Sequence, residues 1–220
     1  MKSTQSLRTL ALAALSLGSL LSVAVLPVNA AGYKLADKVG VGIADCRDEI
    51  VDVKKAVDAT MVALSKIVAD AATDPRKAFK DFDKSVPKID SAANKARKRA
   101  QDMREKGKAY FEQWEKDLGQ VSDPEIRKLA EERKVKLQST FADIKTSLDP
   151  ARDQFNAWLA NLKDLQKYLS QDLTINGIDA AKDLIGKSKM EGAAVQQTLD
   201  KVISELNTVV ATITPAKVKK

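Results

Sequence analysis

The side chains that most often carry out chemistry in proteins are nearly absent from this sequence. Its 220 residues include no histidine, and Cys46 is the only cysteine. Without an imidazole, the chain cannot assemble Ser-His or Cys-His nucleophilic catalysis, and a His-based metal site is excluded. Aspartates and glutamates are numerous, but they are scattered among lysines. We therefore expect a protein that is not an enzyme and that uses no cofactor and no metal.

Three other groups of residues could take part in chemistry, but ordinary packing explains each of them better. Cys46 falls on an apolar helical seam, which favours a small buried residue over a reactive thiol. Glu131 and Glu132 are adjacent in a helical segment, so their carboxylates do not face each other and are interpreted as surface charge. Four aromatic residues lie on or beside seams, which favours core packing over a ligand box. They are Phe111, Trp114, Phe155 and Trp158.

The most basic segment of the chain is a candidate surface for an anionic partner. Such a ribbon could bind anionic lipid heads or envelope polysaccharide, although charge runs more often form a solvated helix face. Nucleic acid is not expected as a ligand, because the chain lacks exposed aromatic residues interleaved with the charges, which would stack on bases. The candidate patch consists of Lys95, Arg97, Lys98, Arg99, Arg104, Lys106 and Lys108.

Residues 1–30 are typical of a secretory signal peptide. Lys2 and Arg8 precede an apolar core from Leu10 to Leu26, and Val28-Asn29-Ala30 offers short side chains to a signal peptidase. The core is short for a transmembrane anchor, which needs about 20 apolar residues. We expect cleavage after Ala30 and export of the mature chain to a periplasmic or extracellular location.

The rest of the chain has the pattern of long helices that pack along narrow seams. Apolar residues recur at alternating steps of three and four, as in coiled coils. We expect an all-α fold, an elongated antiparallel coiled-coil bundle of three to four long helices, as one domain over residues 43–214. Three glycines predict a flexible lead-in over residues 31–42, and residues 215–220 form a basic tail.

Prolines and glycines indicate where the helices begin, turn and bend. Ser85 and Pro87 predict the cap and first turn of the second helix, and residues 75–86 stay ambiguous. Asp123 before Pro124 predicts the start of the third helix, antiparallel to the second. Asn176-Gly177 predicts the next turn.

Pro150 falls inside the seam of the third helix. A proline there costs about 3 kcal/mol. The apolar seam nevertheless keeps its phase from Ile144 to Phe155. A loop would normally shift that phase, so we expect a helix that continues through Asp149 with a bend.

The seam of the second helix changes character along its length. Its first half is built from Ala93, Ala96 and Ala100, and small residues let helices approach closely. Its second half contains Tyr110 and Trp114. The aromatic end is therefore expected to form the thicker part of the core, facing the start of the third helix.

Three segments together resemble the bacterial family known as domain of unknown function 2959. They are Phe111-Glu112-Gln113-Trp114-Glu115 followed by Leu118, Asp149-Pro150 followed by Phe155, and Leu169-Ser170-Gln171-Asp172-Leu173 followed by Ile178. Ser170-Gln171-Asp172 departs from the Lys-His-Asn of the family pattern. The resemblance implies an all-helical coiled-coil fold and assigns no activity and no functional residue.

These observations lead to two functional hypotheses of different classes. The first is a non-enzymatic, exported coiled-coil protein of the bacterial cell envelope that acts as a scaffold, spacer or partner-binding rod. It would bind a protein partner or a second copy of itself through seam left over at its ends. The alternative is an amphipathic protein that binds lipid or a membrane surface. Wide apolar faces with basic borders would favour that alternative, and only residues 155–169 come close.

Overall fold

The structure is a computed structural model that describes residues 31–213. This part of the chain forms four α-helices and contains no β-strand. They are α1 (Ala31–Ala69), α2 (Arg76–Leu118), α3 (Pro124–Gln171) and α4 (Ile175–Ile213). The predicted signal peptide over residues 1–30 and the basic tail over residues 215–220 lie outside the described residues.

Each helix runs antiparallel to the next, and together they form a four-helix bundle. Helix α1 packs against α2 and α4, and α3 packs against α2 and α4, whereas the diagonal pairs do not pack on each other. The α1–α2 interface is the most extensive and the α2–α3 interface the least. The longest helix, α3, spans about 72 Å at 1.5 Å per residue. The predicted all-α antiparallel bundle is confirmed.

Two polar turns hold the ends of α3. The Asp123 carboxylate accepts hydrogen bonds from the backbone N–H groups of Glu125 (2.8 Å) and Ile126 (3.0 Å), which caps the helix as predicted. At the other end, Asp172 accepts from the Thr174 hydroxyl at 2.6 Å, and this bond holds the pKa of the Asp172 carboxyl below its usual range. A Cβ at Gly177, in the first turn of α4, would overlap the Asp172 carboxylate, so glycine lets the helix begin close to this residue. The predicted turn at Asn176-Gly177 was wrong, because both residues lie in α4, which begins at Ile175, and the turn occupies residues 172–174.

The prediction of a flexible lead-in over residues 31–42 was wrong, because this segment is the first part of α1. Its glycines serve helix packing. Gly40 and Gly42 are buried, and the Cδ of Lys106 on α2 lies 3.0 Å from where a Cβ at Gly42 would stand. Contact with α2 therefore outweighs the helix propensity that glycine lacks, about 1 kcal/mol per residue.

The predicted start of the second helix at Ser85 and Pro87 was also wrong. Helix α2 begins at Arg76 and runs through Pro87, while the Ser85 hydroxyl donates to the Phe82 carbonyl at 2.7 Å. Proline leaves the carbonyl four residues earlier, that of Asp83, without its helical donor. The Gln166 side chain on α3 donates to this carbonyl at 3.2 Å. Burial of Phe82 in the core adds a further reason for the helix to continue.

The prediction of a continuous helix at Pro150 is confirmed, since α3 has no break between Pro124 and Gln171. Leu148 and Ala151 both face the bundle interior, with Ala151 6% exposed. The seam keeps its phase across the proline because no residue leaves the helical path.

The buried side chains of all four helices form one core. The expectation that its aromatic end would be the thickest was wrong. Phe111 and Trp114 are only half-buried, whereas most of the largest fully buried side chains lie toward the opposite end of the bundle. They include Trp158, Phe82, Leu64, Ile67, Ile89, Leu162, Leu169, Ile178 and Ile185. Aromatic side chains in a seam therefore do not by themselves mark the thickest part of a core.

Candidate functional site

Within residues 31–213, no group of three or more Asp, Glu or Cys side chains is arranged to hold a metal ion. The same segment contains no helix long and apolar enough to cross a membrane. Cys46 is fully buried in the core, as predicted, and burial raises the pKa of its thiol to about 11. A thiol in this environment is a poor nucleophile at neutral pH.

The aromatic residues considered as a ligand box lie in two separate places. Trp158 is buried, donates its indole N–H to the Ser188 carbonyl at 2.8 Å and packs edge-on to Phe155 at 6.1 Å between ring centroids. Phe111 and Trp114 pack beside Tyr110 near the other end of the bundle. The two pairs do not form one box, and packing is the role that their contacts support.

The basic segment of α2 divides among three faces of the helix. Arg99 and Lys106 face α1, where the Arg99 guanidinium lies 3.9 Å from both the Asp45 and Glu49 carboxylates. Arg97 and Arg104 face α3, where the Arg97 guanidinium donates to the Asn156 side-chain oxygen at 2.5 Å.

The remaining three members of the candidate patch, Lys95, Lys98 and Lys108, are exposed. Lys95 and Lys98 line a shallow depression on the outer face of α2. Lys108 lies 3.8 Å from the Glu112 carboxylate. Binding of an anionic envelope surface by the candidate patch stays a prediction.

A cavity of about 260 Å³ lies in the middle of the bundle, between α2 and α3. All four helices contribute apolar side chains to its wall, among them Ile50, Ala96, Phe155 and Val202. The alanines of the α2 seam, expected to bring helices close together, instead leave this space beside α3. Neither periodicity nor composition predicted the cavity. The sequence feature that corresponds to the cavity is the run of α2 seam alanines, with Arg97 directly after Ala96.

Charged side chains surround the opening of this cavity. Arg104 of α2 and Arg152 of α3 both approach Asp149 Oδ1, at 3.8 and 3.5 Å, and Lys145 Nζ lies 2.9 Å from Asp149 Oδ2. The hydrogen bond from Lys145 and the charges of the arginines hold the pKa of the Asp149 carboxyl below its usual range. Several cations therefore share one ionised carboxylate at the opening.

The first turns of α3 carry a second distinctive surface. Ile126 is 56% exposed and Leu129 is 67% exposed. The Arg133 guanidinium donates to the Thr212 carbonyl of α4 at 2.9 Å, so the described part of α4 ends level with Arg133. Residues 124–132 thus extend past the described end of their neighbour. Ile126, which belongs to the seam, and Leu129 beside it are hereafter called the uncovered seam.

Glu131 and Glu132 lie beside this surface and have no shared pocket. Glu131 accepts from Lys134 Nζ at 2.9 Å, whereas Glu132 is exposed. Lys134 also forms an ion pair with Glu115 of α2. The side chain of Lys134 is only 7% exposed, and its bonds to Glu115 and Glu131 raise its pKa above the ordinary value of 10.5. This cluster joins α2 to α3 and has the arrangement of a structural ion pair.

Comparison with known proteins places the chain in a family without assigning it an activity. No curated protein and no solved structure matches the chain. A family model described as "Protein of unknown function (DUF2959)" matches residues 28–213, nearly the whole chain, which confirms the resemblance of its three segments. The chain therefore belongs to the DUF2959 family.

Proposed function

We propose that this protein is a non-enzymatic, exported scaffold or spacer of the bacterial cell envelope that binds a partner protein through the uncovered seam. The observation that carries the proposal is the exposure of Ile126 and Leu129 on a helix whose other seam positions are mostly buried. Amphipathic helices bind one another through such apolar positions, spaced three or four residues apart. A long antiparallel bundle also suits a spacer, because it holds its two ends at a defined distance.

Site-specific photo-crosslinking in cells tests this proposal. A photoreactive amino acid replaces Leu129 in one variant and Leu184 in the control, since Leu184 is similarly exposed (58%) on a different helix. We expect a discrete intermolecular adduct from position 129 and none from position 184. Mass spectrometry of the adduct tells a second copy of the chain from a different protein.

Two results would contradict the proposal. One is the absence of any intermolecular adduct at position 129. A crosslink formed only within one chain counts as such an absence. The other is the same set of adducts from both positions, which would indicate nonspecific contact. Light scattering of the mature chain at two concentrations supplies an independent measurement, because self-association through the uncovered seam should be lost in Leu129→Glu and kept in Leu184→Glu.

Export is part of the proposal and has its own test. The amino-terminal pattern of residues 1–30 supports cleavage after Ala30. Amino-terminal sequencing of the protein recovered from the periplasm or the medium should begin at Ala31. Recovery of uncleaved protein from the cytoplasm alone would overturn this part.

The exposed Lys95 and Lys98 support the alternative, attraction to an anionic membrane surface. The described seams are mostly buried between helices, so insertion through them would require the bundle to open. Flotation with anionic liposomes at low salt tests this alternative. Recovery of the mature protein with the liposomes would favour it over the scaffold, and no binding would exclude it.

A further inference from the structure

The cavity between α2 and α3 combines an apolar interior with a charged opening. Its interior is apolar, built from alanines of α2 and from Phe155, Leu199 and Val202 on the other helices. Arg97, Arg104 and Arg152 reach its opening together with one carboxylate, that of Asp149, so cations outnumber anions there. Binding pockets commonly combine an apolar wall with a small number of polar groups that orient the ligand. The cavity belongs to this class and lies far along α3 from the uncovered seam.

The charges at the opening suit an anion. Arg97 donates to the side-chain oxygens of Asn94 and Asn156, which are neutral partners. Arg104 is 42% exposed and lies 3.8 Å from its nearest carboxylate, that of Asp149, so its guanidinium is available to a ligand. Guanidinium groups bind carboxylates through paired hydrogen bonds. Arg152 of α3 already pairs with Asp153 at 3.0 Å and with Asp149 at 3.5 Å. An incoming carboxylate would therefore bind chiefly the guanidinium groups of α2, with the charge of Arg152 nearby.

We propose that this cavity binds the anion of a medium-chain fatty acid. The alkyl chain lies among the apolar side chains, and the carboxylate binds Arg104 with Arg97 and Arg152 beside it. An engineered apolar cavity of about 150 Å³ holds one benzene molecule. The 260 Å³ found here is larger, which suits a single flexible chain rather than a two-chain lipid. The site requires no opening of the bundle, which separates it from membrane binding through the seams.

Calorimetric titration of the mature protein with decanoate, below the concentration at which decanoate forms micelles, tests the site. We expect saturable binding of one decanoate per chain. Arg104→Gln should weaken it about tenfold, as expected for loss of a charge-assisted hydrogen bond. The matched control is Arg99→Gln, because Arg99 is equally exposed (45%) on the same helix but faces α1. This control should bind decanoate as the unmodified protein does.

A second variant tests the apolar part of the site. Ala96→Leu places a larger side chain in the cavity wall and should abolish decanoate binding, while circular dichroism shows whether the bundle is intact. If this variant does not fold, the comparison of Arg104→Gln with Arg99→Gln decides alone. The proposal is overturned by the absence of saturable binding, by equal weakening in both arginine variants, or by decanol binding as tightly as decanoate.

Discussion

The two halves of α3 share one heptad pattern but are packed very differently. In residues 124–148 the buried side chains are Lys134, Leu137 and Ile144, and the first two turns are exposed. In residues 151–171 seam positions are buried at almost every turn. They are Ala151, Phe155, Trp158, Leu159, Leu162, Leu165 and Leu169. The first half therefore carries the uncovered seam, whereas the second half contributes most of the buried side chains that stabilise the bundle.

The difference shows that a heptad pattern tells which face of a helix is apolar, not how deeply that face is buried. The second half of α3 is bonded to both of its neighbours, through Lys163 to Asp90 on α2 (2.8 Å) and through Trp158 to α4. The first half has fewer buried apolar side chains, Leu137 and Ile144, and Arg133 and Lys134 add polar contacts to α4 and α2. Burial depends on how many neighbouring helices reach the same level of the bundle.

The largest expected effect comes from removing the same side chain in each half. Leu162 is fully buried and Leu129 is 67% exposed. Leu162→Ala should lower the free energy of unfolding by about 2–5 kcal/mol, because it leaves a cavity in the core. Leu129→Ala should change it by less than about 0.5 kcal/mol. Urea denaturation measures both, and equal losses would mean that the two halves are equally packed.

The next comparison adds a methyl group opposite each half of α3, on α4 against the second half and on α2 against the first. A Cβ at Gly192 would lie 2.7 Å from the Met61 sulfur and 3.0 Å from the buried Trp158 ring, and one at Gly107 would lie 2.8 Å from the half-buried Phe141 ring. Gly192→Ala should destabilise the protein by about 1–3 kcal/mol, because the added methyl group displaces Met61 and presses on Trp158, which is fully buried. In Gly107→Ala the Phe141 ring shifts toward solvent, and higher helix propensity offsets the strain.

Thermal unfolding compares these two variants. The control is Gly186→Ala, because a Cβ at Gly186 meets no atom within 4 Å. This control should stabilise the protein by about 0.5–1 kcal/mol through helix propensity alone. A Gly107→Ala variant as unstable as Gly192→Ala would show that the first half of α3 is as rigid as the second.

A smaller effect tests whether the second half of α3 replaces the helical hydrogen bond that Pro87 removes from α2. Gln166→Ala removes the donor to the Asp83 carbonyl (3.2 Å) and to the Asp83 carboxylate (2.7 Å), and should cost about 1 kcal/mol in the free energy of unfolding. In a Pro87→Ala background the helix supplies its own donor to that carbonyl, so the same change should cost less. A double-mutant cycle measures the coupling. Equal costs in both backgrounds would show that Gln166 does not compensate for the proline.

The smallest expected effect concerns the ion pair of Lys134 in the first half. Its partners Glu115 and Glu131 raise the pKa of Lys134 above 10.5, so its contribution to stability is fully present below about pH 10.5. That contribution is lost as the pH rises through the higher pKa of the folded state. Lys134→Gln should therefore cost up to about 1 kcal/mol at pH 8 and less at pH 11.5.

Urea denaturation at the two pH values measures this dependence. Lys136 is an exposed neighbour, so Lys136→Gln serves as the control for loss of a surface charge. A cost for Lys134→Gln that does not change with pH would indicate that the packing of its alkyl stem matters more than its charge.

Much of the architecture could be predicted from local patterns. The seam placed Cys46 in the core, and Asp123 before Pro124 predicted both a helix start and an antiparallel neighbour. The phase of the seam across Pro150 predicted a continuous helix. These predictions succeeded because each depends on residues within about one or two turns of one another, where backbone geometry and spacing suffice.

Predictions failed where a distant residue compensates for a local weakness. Local sequence preferences place Pro87 at a helix start. In the structure, Gln166, 79 positions away, donates a hydrogen bond to the Asp83 carbonyl, which lacks its helical donor because of the proline. The glycines of residues 31–42 weaken a helix locally, but Lys106 packs over one of them from α2. Long-range partners of this kind cannot be identified from single-sequence periodicity.

By itself, the sequence determined that the chain is all-α, that its helices pack along narrow seams and that it has no histidine chemistry, because these properties follow from composition and from spacing along the chain. Only the tertiary structure decided which seam residues are covered and which side chains of the basic segment face α1, α3 or solvent. It alone also showed that Ala96 and Arg97 line a cavity. The reason is geometric: burial and voids depend on the level at which separate helices meet, and residues far apart in the chain set that level together.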